Sequence, residues 1–233
     1  MTMTDGQFQT RTGEISGSDR RGLRPVGAWL AAGSLLWWGA AAFLLPADDF
    51  FVGKTARDEA ASIVAHDGLF RVFHVVAALG TVAGSIGIVL LGRWLRGRRP
   101  SRLVDVAVAF AGLGVVAWLI EVGVRLSVTV DRARQVVAGE RSPGDEPAIG
   151  NAGLFFVAAL AFLAPMLCSW ALARRRVPGR RTSLALAVVA TLSTGAGASI
   201  LAPSVIYQFA VLPMAVALLL ASRTRGAMEP DPS

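Results

Sequence analysis

Residues 70–124 read FRVFHVVAALGTVAGSIGIVLLGRWLRGRRPSRLVDVAVAFAGLGVVAWLIEVGV. Two apolar runs, Phe70–Leu91 and Leu103–Val124, flank a short segment that contains five arginines. At about 1.5 Å per residue, a helix made from either run is long enough to cross a hydrocarbon core of about 30 Å. This pattern predicts two membrane-spanning helices joined by a basic loop.

Four further apolar runs flank this pair, and they are Val26–Leu45, Ala152–Leu172, Leu184–Ala202 and Val205–Ala221. Only Pro203 and Ser204 separate the last two runs. A continuous helix through both would be far longer than the bilayer requires, so this break predicts a tight hairpin at the membrane surface. The sequence therefore predicts an all-α polytopic membrane bundle of about six transmembrane helices, occupying residues 25–222. The polar segments 1–24 and 223–233 are predicted to be cytoplasmic tails, the first of them disordered.

The composition agrees with a membrane protein. Hydrophobic residues make up 54% of the chain, the mean hydropathy is +0.55 and charged residues make up 17%, against about 25% in an ordinary soluble domain. The net charge of +7 does not indicate a nucleic-acid partner, because the arginines flank apolar runs and no nucleic-acid motif accompanies them. The single cysteine, Cys168, excludes an internal disulfide and any multi-cysteine metal site.

The arginines predict the orientation of the bundle. Arginine-rich segments precede the first run, join the second to the third and the fourth to the fifth, and follow the sixth. With six spans, all of these segments fall on one side, and the remaining loops carry arginines diluted by aspartate and glutamate. The positive-inside rule then places both termini in the cytoplasm. The partners expected from this pattern are the lipid bilayer and anionic lipid at its inner face.

The two longer outer loops differ in character. Thr55 and Asp58 have the spacing of a capping box, and Ala56, Ala60, Ile63 and Val64 follow at helical spacing. We expect a short surface helix here that ends near Gly68. The second loop, Thr129–Asn151, contains Ser-Pro-Gly-Asp and is predicted to be irregular.

The first outer loop also carries a family resemblance. Residues 53–71 read GKTARDEAASIVAHDGLFR. This stretch resembles the bacterial six-helix membrane family catalogued as domain of unknown function 4386, whose members look like G-x-A-x-x-TA-x-NI-x-A-x-x-x-LFR at this place. The matching residues are Gly53, Ala56, Ala60, Ile63, Ala65, Leu69, Phe70 and Arg71, with one more residue between Gly53 and Ala56 than the family has, whereas Ser62 stands where the family has Asn. The resemblance implies a six-helix, multi-pass protein of the bacterial plasma membrane, and it implies no activity.

Charged residues inside spans are costly and are therefore candidates for function. Arg71 and His74 lie at the outer end of the second span, and Glu121 and Arg125 lie at the outer end of the third. We expect these four side chains to form one polar cluster in the outer leaflet, which would be a candidate ligand-binding site. The alternative interpretation is structural, with both arginines reaching the interface and neutralising Glu121 so that the two helices are pinned together.

No catalytic residue, cofactor or metal site is predicted. The two histidines, His66 and His74, lie at the same end of one span and cannot clamp a haem from opposite faces. No spacing of histidines and carboxylates resembles a zinc motif, and the chain contains no G-x-S-x-G sequence, no P-loop and no H-E-x-x-H sequence.

Small residues predict close helix packing at two places. Gly80 and Gly84 form a GxxxG pair in the second span, and Thr191, Gly195 and Ser199 recur every four residues in the fifth. Faces of this kind let helix backbones approach closely in a membrane.

Three functional hypotheses follow. The first is a non-enzymatic bundle that binds or transports a small molecule or lipid through the outer-leaflet cluster, and the ligand itself is not identified by the sequence. The second is a structural or interaction protein that uses a basic cytoplasmic face. The third, an intramembrane enzyme with His74 and Glu121 as acid and base, has the least support. A cavity that reaches Glu121 would favour the first hypothesis, and a solid core would favour the second.

Overall fold

The computed structural model describes residues 17–44, 55–97, 100–142, 148–199 and 203–223. In these ranges the chain forms eight α-helices and one π-helical turn, with no strand. The all-α prediction is therefore confirmed for the described residues. The elements are α1 Gly17–Leu44, α2 Ala56–Ala65, α3 Asp67–Arg96, α4 Arg102–Val124, the π-helical turn Arg125–Thr129, α5 Val130–Ala138, α6 Ala148–Arg175, α7 Arg180–Ser199 and α8 Pro203–Arg223.

Three helical stretches are long and apolar enough to cross a membrane, and they are Arg21–Phe43, Asp67–Arg96 and Arg102–Ala138. Large apolar side chains also point outward, with Phe43 86% and Leu192 68% exposed. A bilayer accommodates such surface, whereas water does not. These helices support membrane association. The count of six spans stays a prediction.

The first helix begins earlier than the first apolar run. Gly17–Arg24, assigned to the tail by sequence, is helical, and Leu23 is fully buried. Leu23, Val26 and Leu30 are spaced by three and four residues, so they lie on one face and enter the core together. Residues 1–16 and 224–233, which complete the two predicted tails, lie outside the described residues.

The core is formed where α3 packs against α1 and α4, α8 packs against α1 and α7, and α6 packs against α4 and α7. Its largest fully buried apolar side chains come from five of these helices and include Leu30, Ile88, Leu91, Leu95, Val104, Leu172, Met214 and Leu218. The helices α2 and α5 form a separate, smaller cluster with the start of α3, around Ile63, Phe70 and Val130.

The backbones of α1 and α3 approach closely at the predicted GxxxG pair. A Cβ atom added to Gly33 would lie 2.6 Å from the backbone nitrogen of Gly84 and 2.7 Å from the carbonyl oxygen of Gly80. A second close approach joins α4 to α6, where a Cβ atom on Gly114 would meet the backbone and side chain of Ala161. Glycine is therefore required at both crossings, and these crossings fix the positions of α3 and α4.

The predicted small-residue face of α7 does not show such a close backbone approach at Gly195. A Cβ atom on Gly195 would meet no atom within 4 Å in the described part of the chain. The hydroxyl oxygen of Thr191 accepts a hydrogen bond from Trp170 Nε1 at 3.0 Å and donates to the carbonyl of Ala187 at 2.8 Å. Ser199 ends α7, and its side chain lies outside the description. The contact of α7 with α6 thus includes a hydroxyl–indole bond made by Thr191, the first residue of this face.

The predicted surface helix in the first outer loop is present as α2. The Thr55 hydroxyl accepts from the backbone N–H of Asp58, and the Asp58 carboxylate accepts from the backbone N–H of Thr55 at 3.0 Å, so the capping box is complete. The helix ends at Ala65 with His66 as its C-cap, three residues before Gly68, which lies in the first turn of α3.

The prediction of an irregular second outer loop over Thr129–Asn151 is wrong for most of its length. The third span continues without a break through the π-helical turn into α5, and helix resumes at Ala148. The extension is stabilised because Val130 and Ala133 are buried against α2. It ends at Gly139, whose left-handed conformation (φ 77°) closes the helix.

The last two predicted spans are separate helices in the structure. The first ends at Ser199 and the second begins at Pro203, and the two helices pack against each other. Proline suits the first turn of a helix because that position needs no backbone N–H donor. Residues 200–202, which join them in the sequence, lie outside the described residues.

Candidate functional site

Glu121 is the most deeply buried carboxylate among the described residues. It lies one turn before the end of α4, and its side chain is 2% exposed. Its Oε1 atom accepts a hydrogen bond from Arg125 Nε at 3.0 Å. Its Oε2 atom is buried and has no hydrogen-bond partner. A buried acceptor without a donor is unfavourable by about 1–3 kcal/mol, and by more when it is charged.

Arg125 connects this buried carboxylate to the outer surface. It is the first residue of the π-helical turn and lies four residues after Glu121, so both side chains share one helix face. Its side chain is 40% exposed. One end of the ion pair is therefore solvated or at the membrane interface, and the other end is in the protein interior.

Arg71 approaches the same region but does not pair with Glu121. Its Nε atom donates to Asp67 Oδ1 at 2.6 Å, and its Nη1 atom donates to the carbonyl oxygen of Leu126 at 2.9 Å. The second bond ties α3 to the π-helical turn directly beside Arg125. The structure thus brings Arg71 next to the Glu121–Arg125 pair through the backbone.

Asp67 is a member of this region that the sequence analysis did not single out. Besides Arg71, its carboxylate accepts from Arg134 Nη2 of α5 at 2.8 Å. Arg134 also donates to Asp131 at 3.3 Å. The four-residue spacing of Asp67 and Arg71 was the available signal, whereas Arg134 was assigned to an irregular loop. These bonds hold α5 over the start of α3.

His74 is buried one turn deeper on α3. Its Nδ1 atom is 2.8 Å from the carbonyl oxygen of Phe70, and because a carbonyl only accepts, Nδ1 carries the proton in this bond. The rings of Phe70 and Phe73 flank the imidazole at centroid distances of 4.2 and 5.1 Å. The ring is near enough to Arg125 for an electrostatic interaction. The four predicted cluster residues therefore occupy one neighbourhood, with His74 on its aromatic side.

Trp118 adds a buried donor to the same face of α4. It lies three residues before Glu121, and its Nε1 atom is buried with no hydrogen-bond partner. Its ring meets Phe162 of α6 edge-on at 6.2 Å between centroids. Sequence reasoning did not select Trp118, because a tryptophan in a span is expected to serve packing. An unused donor and an unused acceptor thus lie one helical turn apart.

The structure also contains a groove of about 350 Å³ between α3 and α4. It is lined mainly by apolar side chains, with Leu119 at one end and Arg93 at the other. Glu121 is not among its lining residues. The groove is therefore separate from the Glu121 cluster, and it does not supply the cavity that would favour ligand binding by these residues over a structural role.

Arginines gather at the opposite, predicted inner, end of the bundle. Arg96 donates to Asp105 Oδ1 at 2.7 Å and so links the end of α3 to the start of α4. Arg175 donates to the carbonyl of Leu95 and links α6 to the same place. Arg174, Arg176, Arg180 and Arg181 flank the connection from α6 to α7. This end of the described bundle presents a basic surface.

Among the described residues, no group of three or more histidines, cysteines and carboxylates is placed to hold a metal ion. His66 lies at the junction of α2 and α3, with Nδ1 3.2 Å from the carbonyl oxygen of Ser62, and Cys168 is buried in α6.

No protein-family model, curated protein or solved structure matches the chain.

Proposed function

We propose that the chain is a non-enzymatic, multi-pass protein of a bacterial plasma membrane that binds or transports a small amphipathic molecule through its outer-leaflet cluster. The proposal includes six transmembrane helices, cytoplasmic termini and membership of the six-helix family that residues 53–71 resemble. The single observation that carries the ligand-binding role is the buried Oε2 atom of Glu121, which has no hydrogen-bond partner.

The chemistry of the cluster indicates what kind of group would bind. Arg125 already supplies a positive charge to Glu121, so the ligand need not be cationic. The free Oε2 atom requires a donor, and the free Nε1 atom of Trp118 requires an acceptor. A hydroxyl or an amide supplies both. Leaving a site's polar atoms unpaired is costly, and a ligand that pairs them gains affinity for that reason.

The arrangement of the helix ends supports the proposed orientation. The acidic side chains Asp67 and Asp131 lie at the end of the bundle that contains α2 and α5, and the arginines around Arg96 and Arg175 lie at the other. Basic residues are concentrated on the cytoplasmic side of membrane proteins. The outer-leaflet position of Glu121 follows from this orientation.

A ligand screen tests the proposal. We expect at least one amphipathic alcohol or amide, tested on the purified full-length protein in detergent, to raise its unfolding temperature. At a concentration a hundred times the Kd, such a ligand contributes about 2.7 kcal/mol. The variants Trp118→Phe and Glu121→Gln should lose this stabilisation, because the first removes the donor and the second replaces an acceptor oxygen while both keep most of the side-chain volume.

The matched control is Arg134→Ala, which changes the outer polar region without touching the donor–acceptor pair. It should keep the ligand response of the wild-type protein. A compound that stabilises Trp118→Phe and Glu121→Gln as much as wild type would exclude the pair as its binding site. If no alcohol or amide stabilises the wild-type protein, the ligand-binding role is wrong.

A second candidate function is that of an interaction protein with a basic cytoplasmic face. The bond from Arg175 to Leu95 favours it, because it gathers the arginines of two connections into one surface. An intramembrane enzyme has less support. His74 is bonded to Phe70 and Glu121 to Arg125, and in the described structure no hydrogen bond joins His74 to Glu121.

A further inference from the structure

The groove between α3 and α4 exists because each of the two helices packs closely against a different neighbouring helix. Close backbone contact holds α3 against α1, and a second such contact holds α4 against α6, so the two helices are drawn toward different neighbours. Near the basic loop they meet again, where a Cβ atom on Gly92 would clash with Val108. The groove lies beside this contact, and its lining includes Gly112, where an added Cβ would meet no atom within 4 Å.

The length of the groove matches one leaflet of a bilayer. Its α3 wall runs from Val82 to Arg93, and eleven residues of helix rise about 16 Å. Half of a hydrocarbon core of about 30 Å is about 15 Å. With Arg93 in the last turn of α3, next to the basic loop, the groove extends from the inner interface to near the middle of the membrane.

The two ends of the groove differ in charge. The lining is apolar along Val82, Ile86 and Leu119. Arg93, at the inner end, is exposed and makes no ion pair with any described residue, whereas Arg96 one turn away is paired with Asp105. An apolar groove of one-leaflet length that ends in a guanidinium without an ion-pair partner among the described residues is complementary to a lipid with an anionic head group.

We propose that this groove binds one anionic phospholipid of the cytoplasmic leaflet, with an acyl chain along α3 and α4 and the phosphate on Arg93. The assignment depends on the proposed membrane orientation but not on the Glu121 cluster. Guanidinium groups bind phosphate through paired N–H donors, so Arg93 supplies both charge and directional bonds. Gly112 supplies the space for the chain, because any side chain there would project into the groove.

Native mass spectrometry of the delipidated full-length protein, titrated with phosphatidylglycerol or phosphatidylcholine, tests this site. We expect one tightly bound phosphatidylglycerol per chain. Arg93→Ala should weaken its binding about fivefold, which corresponds to about 1 kcal/mol, and should affect phosphatidylcholine less. Gly112→Leu should weaken binding of both lipids, because it fills the groove whatever the head group.

Two matched controls separate the site from general lipid contact. Gly123→Leu makes the same change on α4 at a position with equal open space that does not line the groove. Arg223→Ala removes an exposed arginine at the end of α8. Both should bind phosphatidylglycerol like wild type.

The proposal is overturned if Gly112→Leu binds the lipids as Gly123→Leu does, if Arg93→Ala weakens the binding of both lipids equally, or if the wild-type protein shows no tightly bound phosphatidylglycerol. A wrong membrane orientation would be detected separately by a topology measurement. Failure of the lipid site can therefore be distinguished from failure of the proposed orientation.

Discussion

Replacing Gly114 with alanine is expected to lower the free energy of unfolding by about 2–3 kcal/mol. The added Cβ would meet the backbone nitrogen, Cα and Cβ of Ala161 on α6, all closer than nonbonded atoms approach. Neither backbone atom can rotate away, so α4 and α6 must separate along their crossing. That separation would also loosen the neighbouring contact of Trp118 with Phe162. Unfolding of the purified protein by a denaturing detergent measures the change.

The matched control lies two residues away on the same helix. Gly112→Ala introduces the same methyl group where no atom lies within 4 Å. It should cause no loss, and the higher helix propensity of alanine can raise stability by up to about 1 kcal/mol. If the Gly114 and Gly112 variants unfold alike, the close crossing of α4 and α6 is incorrect.

A comparable loss, about 2–3 kcal/mol, is expected for Gly33→Ala at the crossing of α1 and α3. Its Cβ would lie 2.6 Å from the Gly84 nitrogen, 2.7 Å from the Gly80 oxygen and 2.9 Å from the Gly84 Cα. All three are backbone atoms, so relief requires a shift of one whole helix. Helix association in membranes depends on such close backbone packing, because lipid offers no hydrophobic driving force between helices.

Gly39→Ala is the control for this second crossing, because it adds the same methyl group to α1 at a position with open space. Its unfolding profile should match that of wild type. A wild-type profile for Gly33→Ala as well would show that α1 does not approach the GxxxG pair of α3 as described.

The parts of the fold that depend on local pattern could be predicted from the sequence. Apolar runs of sufficient length predicted helices at Phe70–Leu91 and Leu103–Val124, which lie within the helical stretches Asp67–Arg96 and Arg102–Ala138, because length and hydropathy are properties of one segment. The capping box at Thr55 predicted the start of α2 for the same reason. Both signals are contained within a few neighbouring residues.

The part that depends on contacts between distant segments could not be predicted. Residues 130–138 look polar and lie near the sequence Ser-Pro-Gly-Asp, yet they are helical because Val130 and Ala133 pack against α2. The bond between Arg134 and Asp67 joins residues 67 positions apart. No local pattern contains such information, and the irregular loop was predicted for that reason.

In the candidate site, too, the local contacts could be predicted from the sequence and the contacts between distant segments could not. The pairing of Glu121 with Arg125 follows from four-residue spacing on one helix, which a sequence displays directly. The ion-pair partner of Arg71 could not be predicted in this way, because more than one carboxylate was available. In the structure Arg71 pairs with Asp67 on its own helix and not with Glu121. The unpaired state of Trp118 Nε1 and Glu121 Oε2 depends on what α6 and α3 place around them, which only the tertiary structure describes.

The central claim is that apolar helices cross a membrane with the arginine-rich connections on one side. Single-cysteine labelling of the full-length protein in cells tests it most directly, because the native Cys168 is buried and gives little background. Gly97→Cys and Gly179→Cys are predicted to resist a membrane-impermeant maleimide until the membrane is opened, whereas Glu140→Cys is predicted to react at once. Labelling of Gly97→Cys and Gly179→Cys from opposite sides of the membrane would contradict the account.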